Sequence, residues 1–172
     1  SLRTDVSGIE YDEELQRATL TLSSAIDPGD YVLHARFRGT LNDQLHGFYR
    51  STFKDEAGVE HTIATTQMES TDARRAFPCW DEPEFKASFG ITLKVPEDQF
   101  AMSNGAEISN EVFGGVRTVS FADTMVMSTY LVAFIVGPFE ATDPVDVNGT
   151  PLRIIYPRGK GHLTEYSLEA GE

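Results

Sequence analysis

One short stretch, residues 65–89, carries more chemically active side chains than any other part of this 172-residue sequence. It contains two adjacent arginines, the single cysteine, the single tryptophan, two prolines and five acidic residues. If residues 62–70 are extended, Gln67 and Glu69 project from one face of the strand and Met68 from the other. A carboxylate beside an amide oxygen can accept hydrogen bonds from an ammonium group. The spacing therefore offers a receptor for a positively charged amine.

The neighbouring arginines offer a competing explanation for the same acid. Glu69 lies shortly before Arg74 and Arg75, so an ion pair within the chain would occupy its carboxylate. Gln67 would then bond to the backbone. From spacing alone, this internal pairing is favoured over amine binding.

The histidines are too dispersed to predict a metal site, and no His-Glu-x-x-His, Cys-x-x-Cys or calcium-loop pattern occurs. The four histidines are His34, His46, His61 and His162. We expect His34 at an exposed strand position rather than as a ligand. Cys79 lies between Pro78 and Trp80, so we expect a buried structural thiol and not a nucleophile.

The elements that must position these residues are predicted to be short β-strands, because apolar and polar residues alternate along much of the chain. Residues 17–22 and 31–37 are expected to pair across a long loop, and the nearly apolar run 130–139 is expected to be a central strand buried on both faces. The Asn-Gly pair in Val147–Thr150 predicts a tight hairpin turn, which explains the glycosylation-like pattern there. Further strands are expected at 46–54, 60–68 and 89–95.

Helix signals are few. One turn is predicted within 70–77, capped by Ser70, Thr71 or Asp72, and a helix is predicted to begin near 163–172. Closely spaced strands with turns between them predict an all-β fold, a curved β-sandwich with very little helix.

Composition excludes some classes of partner. The formal net charge of −13 repels phosphate backbones, so nucleic acid is not expected as a partner. No apolar run reaches the length of a membrane span, so no membrane association is expected. A single cysteine cannot form an internal disulfide, which favours a reducing compartment, and we predict a cytoplasmic location.

Three collinear stretches resemble the N-terminal domain of the zinc aminopeptidases of the aminopeptidase N family, which includes the puromycin-sensitive enzymes. They are LNDQLHGFYRS at 41–51, TQMESTDARRAFPCWDEPEFKASFGITL at 66–93 and MSTYLVAFIVGPFE at 127–140. The resemblance implies a saddle-like β-domain over residues 1–158, which packs on a thermolysin-like catalytic domain, with 159–172 leading into that domain. It also implies that Gln67 and Glu69 bind the α-amino group of a peptide, which reverses the preference for internal pairing. Residues 72–83 would then be a structural turn that holds the pair in place.

Other parts of the family pattern have no counterpart here. The Gly-x-Met-Glu-Asn motif, the His-Glu-x-x-His zinc helix and the third acidic ligand are expected beyond Glu172, and the early strands before Ser1. No catalytic residue or metal ligand is therefore predicted in this chain. Zinc belongs to the complete enzyme, and these 172 residues alone are predicted to be inactive.

The expected partners are peptides with a free N-terminus and the enzyme's own catalytic domain. The alternatives are a non-catalytic β-sandwich module that binds peptide N-termini or sugars, and a domain of a relative that has lost its zinc site.

Overall fold

The computed structural model describes residues 4–171. Strands dominate this range and helix is sparse, so the all-β prediction is confirmed. The strands are β1 (Val6–Asp12), β2 (Arg17–Leu22), β3 (Gly47–Lys54), β4 (Glu60–Gln67), β5 (Lys86–Ala87), β6 (Thr92–Pro96), β7 (Phe100–Ser103), β8 (Glu107–Phe113), β9 (Val116–Phe121), β10 (Met127–Ser128), β11 (Phe134–Gly137), β12 (Phe139–Ala141), β13 (Val145–Val147), β14 (Thr150–Leu152) and β15 (Ile155–Pro157). The helical segments are the 3₁₀ helices Ala73–Arg75, Thr129–Leu131 and Gly161–Leu163, and α1 (Glu165–Gly171).

The chain divides into two compact units, residues 1–38 and 39–172. In the first unit β1 and β2 form an antiparallel hairpin, and the Asp12 carboxylate accepts a hydrogen bond of 2.8 Å from the Leu15 N–H in its turn. The predicted pairing of 17–22 with 31–37 is therefore wrong, since 31–37 forms no strand and is exposed. A hairpin closed by the short turn 13–16 costs less chain entropy than one closed by the longer loop 23–30.

The larger sheet of the second unit has the order β3-β4-β11-β7 and is antiparallel throughout. The predicted strands 46–54 and 60–68 are confirmed as β3 and β4, which pair with register running from Gly47 opposite Gln67 to Lys54 opposite Glu60. The predicted long strand 130–139 is central in the sheet but shorter and only partly buried. Its first residues form a 3₁₀ helix, because the Asn104 amide bonds the backbone of Leu131 and Ala133 in place of a strand partner.

The second sheet has the order β6-β9-β8. Its inner face packs against the larger sheet in a sandwich-like arrangement. The buried centre consists of Val95, Ala101, Val119 and Phe121, with Ile91, Leu93 and Val136 around it. Positions 91, 93 and 95 of the predicted strand 89–95 thus lie on its buried face, although the strand itself begins at Thr92.

The remaining pairs are short. β13 and β14 join through Asn148 and Gly149 at φ of 52° and 85°, so the predicted Asn-Gly turn is confirmed. β12 pairs with β15, and β10 with β5. Strand structure ends at Pro157 and α1 lies where a helix was predicted. The domain boundary at 158/159 stays a prediction.

Within residues 4–171, every helix falls short of the length and apolar character that crossing a bilayer requires.

Candidate amine-binding site

The predicted pair lies at the end of β4. Gln67 is the last residue of the strand and is paired with Gly47. Both Gln67 and Glu69 are exposed, whereas Met68 between them is only 2% exposed. The alternation of exposed and buried side chains therefore continues for two residues beyond the end of β4. The Gln67 amide and the Glu69 carboxylate both reach solvent. The peptide bond between Glu69 and Ser70 is cis.

The arginines that could have occupied Glu69 are engaged elsewhere. Arg74 Nε lies 2.8 Å from Asp81 Oδ2, and Arg75 Nε lies 2.6 Å from Asp72 Oδ1. In the part of the chain that the structure describes, the Glu69 carboxylate has no hydrogen-bond or ion-pair partner. The internal pairing that spacing favours does not occur within the described residues, and the carboxylate is exposed to solvent.

A short helix lies directly behind the pair. The Asp72 N–H donates to the Met68 carbonyl oxygen at 2.9 Å, and the 3₁₀ helix Ala73–Arg75 follows at once. Ala73 is completely buried. Asp72, one of the three predicted candidates, is the N-cap residue, but its side chain bonds Arg75 and makes no capping hydrogen bond.

Asp81 anchors this helix from the far side of the loop. It is 4% exposed, and its Oδ2 accepts hydrogen bonds from the Arg74 backbone N–H at 3.0 Å and from Arg74 Nε at 2.8 Å. The hydrogen bond to Asp81 raises the pKa of the Arg74 guanidinium further above its ordinary value. The sequence predicted only a structural turn over residues 72–83 and did not predict the ion pair between Arg74 and Asp81. The available signal was an acid directly after the apolar residues Cys79 and Trp80.

Comparison with known proteins identifies the family. The Peptidase M1 N-terminal domain matches residues 2–131, a range that contains the pair, the helix and its anchor. The chain belongs to the peptidase M1 N-terminal domain family.

Its relatives are aminopeptidases by name, and they are much longer. The chain is 43% identical to aminopeptidase M1-D of Oryza sativa subsp. japonica, over 97% of this chain and 19% of that protein. It is 42% identical to the puromycin-sensitive aminopeptidase of Caenorhabditis elegans, over 92% and 17%. It is 42% identical to aminopeptidase N of Bos taurus, over 87% and 16%. The chain thus spans less than one fifth of the length of these relatives.

The single thiol of this M1 domain is not set up as a nucleophile. Cys79 is half-buried, less than the full burial expected from sequence. Burial, and then the negative charge of Asp81, raise its pKa to about 11. The thiolate, which is the reactive form, is therefore scarce at neutral pH.

A zinc site within the described residues of the M1 domain would require a set of His, Cys, Asp or Glu donors. Among residues 4–171, no cluster of three or more His, Cys, Asp or Glu side chains could hold a metal. Even His61, whose Nε2 lies 2.8 Å from Asp55 Oδ2, has one carboxylate beside it and no further ligand. The residues present do not fit the metal that the family implies.

Proposed function

We propose that this chain is the part of a zinc-dependent aminopeptidase that recognises the free α-amino group of a peptide substrate. The observation that carries the proposal is the state of Glu69, an exposed carboxylate beside an exposed amide, with both neighbouring arginines paired to other acids. The aminopeptidase names of its relatives support the enzyme class.

Each side chain has a distinct task in this proposal. The Glu69 carboxylate accepts a charge-assisted hydrogen bond from the substrate ammonium group, and the Gln67 amide oxygen accepts a second one. Holding the ammonium group fixes how far the first peptide bond lies from the site of hydrolysis. By setting this distance, the pair restricts hydrolysis to the bond that follows the N-terminal residue.

The zinc ion and the general base belong, in this proposal, to parts of the enzyme outside these 172 residues. No donor set for a metal occurs within residues 4–171. When bound in the complete enzyme, zinc would supply the activated water for hydrolysis. The chain alone supplies binding and orientation of the amine.

The strength of the amine contact depends on how much water is excluded around it. An exposed carboxylate–ammonium pair contributes up to about 1 kcal/mol. A pair covered by the rest of the enzyme contributes more, because truncation then leaves a desolvated charge without a partner. In this proposal the catalytic part covers Glu69 when substrate is bound, so the contact belongs to the second, stronger case.

The test is steady-state kinetics of the complete enzyme with Glu69→Ala. We expect kcat/KM for peptides with a free amine to fall by about 2–4 kcal/mol of transition-state binding. Glu60→Ala is the matched control, since Glu60 is an exposed acid at the opposite end of the same strand. Wild-type kcat/KM in a folded, zinc-loaded Glu69 variant would refute the role. If the complete protein hydrolyses no peptide yet binds peptide N-termini, the non-catalytic module is correct instead.

A further inference from the structure

Gly47 lies opposite Gln67 at a place where the chain has no room for a side chain. Its φ is +70°, in the left-handed region that L residues rarely adopt. A Cβ placed on Gly47 would lie 2.7 Å from the Cβ of Arg75 and 3.3 Å from the backbone oxygen of Asp72. The helix Ala73–Arg75 therefore packs directly against the backbone of the strand that pairs with Gln67.

The same helix is also linked by a hydrogen bond to the segment that carries Gln67 and Glu69. Its N-cap N–H bonds the carbonyl of Met68, the residue between the amide and the carboxylate. On the opposite side of β4, the Phe134 N–H donates to Thr66 Oγ1 at 3.2 Å. The end of β4 is thus held between the helix and β11.

We propose that Gly47 and the helix Ala73–Arg75 together are the positioning device for Gln67 and Glu69. This inference rests on the proposed amine-binding function. Gly47 touches no substrate. Its part is to let the helix approach the strand end closely enough for Asp72 to hold the Met68 carbonyl, which fixes the direction of the two flanking side chains.

Close packing matters because charge-assisted hydrogen bonds depend steeply on position. Productive sites hold their contacts within about 0.5 Å, and displacements of about 1 Å can cost about a hundredfold in rate. A Cβ at position 47 would displace the helix by an amount of this order, since a 2.7 Å contact must open to an ordinary van der Waals separation.

The experiment compares Gly47→Ala with Gly58→Ala in the complete enzyme. Gly58, in the turn of the same hairpin, has φ of +80°, but nothing lies within 4 Å of its added Cβ. Both variants place a Cβ on a glycine of positive φ, and only the first creates the clash. The measured quantity is the ratio of kcat/KM for a peptide with a free α-amine to that for its desamino analogue.

We expect Gly47→Ala to lower this discrimination ratio by about tenfold or more, and Gly58→Ala to leave it unchanged. Arg75→Gly removes the Cβ that Gly47→Ala would strike, so the double variant should recover most of the ratio found for Arg75→Gly alone. General destabilisation would lower both rates together and leave the ratio unchanged.

A second readout does not depend on zinc. Calorimetry on the metal-depleted protein measures binding of a free-amine peptide and of its N-acetyl form, and Gly47→Ala should reduce the preference for the amine. If Gly47→Ala does not fold, Asp81→Asn replaces it, because it loosens the Arg74 anchor of the helix without touching Gly47.

The outcomes separate the two proposals. If Glu69→Ala leaves the discrimination unchanged, amine recognition by this site is wrong and the positioning role is wrong with it. If Glu69→Ala removes the discrimination but Gly47→Ala and Asp81→Asn do not, only the positioning device is overturned.

Discussion

The two ends of the β3–β4 hairpin each combine a left-handed glycine with an acidic side chain, but they differ in what those residues contact. At the turn, Gly58 has open space around it, and both oxygens of Asp55 are engaged. At the other end, Gly47 is crowded by a helix, and Glu69 has no partner within residues 4–171.

The difference separates an acid that stabilises the fold from one that is available to a ligand. Asp55 Oδ1 accepts the Val59 N–H at 2.9 Å and Oδ2 lies 2.8 Å from His61 Nε2, so the turn is closed by its own residues. The Gly47 end is held instead by residues distant in sequence, through the helix and the Arg74–Asp81 pair. One end is self-contained, and the other depends on tertiary contacts.

The largest effect is expected from removing the anchor of the Gly47 end. Asp81→Ala removes a buried carboxylate together with the two hydrogen bonds that it accepts from Arg74, so the free energy of unfolding should fall by about 3 kcal/mol. Asp72→Ala is the matched control, since it removes the partner of the adjacent Arg75 in a more exposed pair and should cost up to about 1 kcal/mol. Urea unfolding measures both. Equal losses would show that burial does not distinguish the two pairs.

The next effect concerns the thiol beside that anchor. With its pKa raised to about 11, Cys79 should react with iodoacetamide at pH 8 about a hundredfold more slowly than a thiol of ordinary pKa, 9.0. The rate should rise as the pH approaches 11. Asp81→Asn removes a charge that contributes to the shift and should speed the reaction. Rapid alkylation at pH 8 in the folded wild type would contradict the assignment.

The features that could be predicted from the sequence depend on local contacts, and those that could not be predicted depend on long-range contacts. The strands β3 and β4, the Asn148–Gly149 turn and the alternation of Gln67, Met68 and Glu69 arise from neighbouring residues, and pattern alone indicated them. The partners of Arg74 and Arg75 could not be assigned, because the five acidic residues within 65–89 admit several pairings with the two adjacent arginines. The packing of Arg75 on Gly47 is a contact between segments that no local pattern encodes.

Residues 31–37 were predicted to form a strand that the structure does not contain. Their alternation predicts a strand, yet β2 pairs with β1 and leaves them without a partner. Alternation of apolar and polar residues shows that a segment could fit into a sheet. It does not show that another strand is available to pair with that segment.

The smallest effect is expected at the turn, and its pH dependence identifies its cause. The hydrogen bond from His61, and then that from the Val59 N–H, hold the pKa of Asp55 below its ordinary value of 3.8. Because the folded-state pKa is depressed, this contribution to stability is present above the unfolded-state pKa and is lost as the pH falls through the folded-state value.

Asp55→Asn should therefore lower Tm at neutral pH, and the difference from wild type should shrink as the pH falls below about 4. Thermal unfolding from pH 7 to pH 3, followed by circular dichroism, measures this difference. Glu69→Gln is the counterpart at the other end of the hairpin. Since Glu69 has no partner in the described residues, its removal should leave Tm unchanged at every pH while amine recognition is lost. A loss of Tm in Glu69→Gln as large as that in Asp55→Asn would mean that both acids stabilise the fold, and the distinction between the two ends would fail.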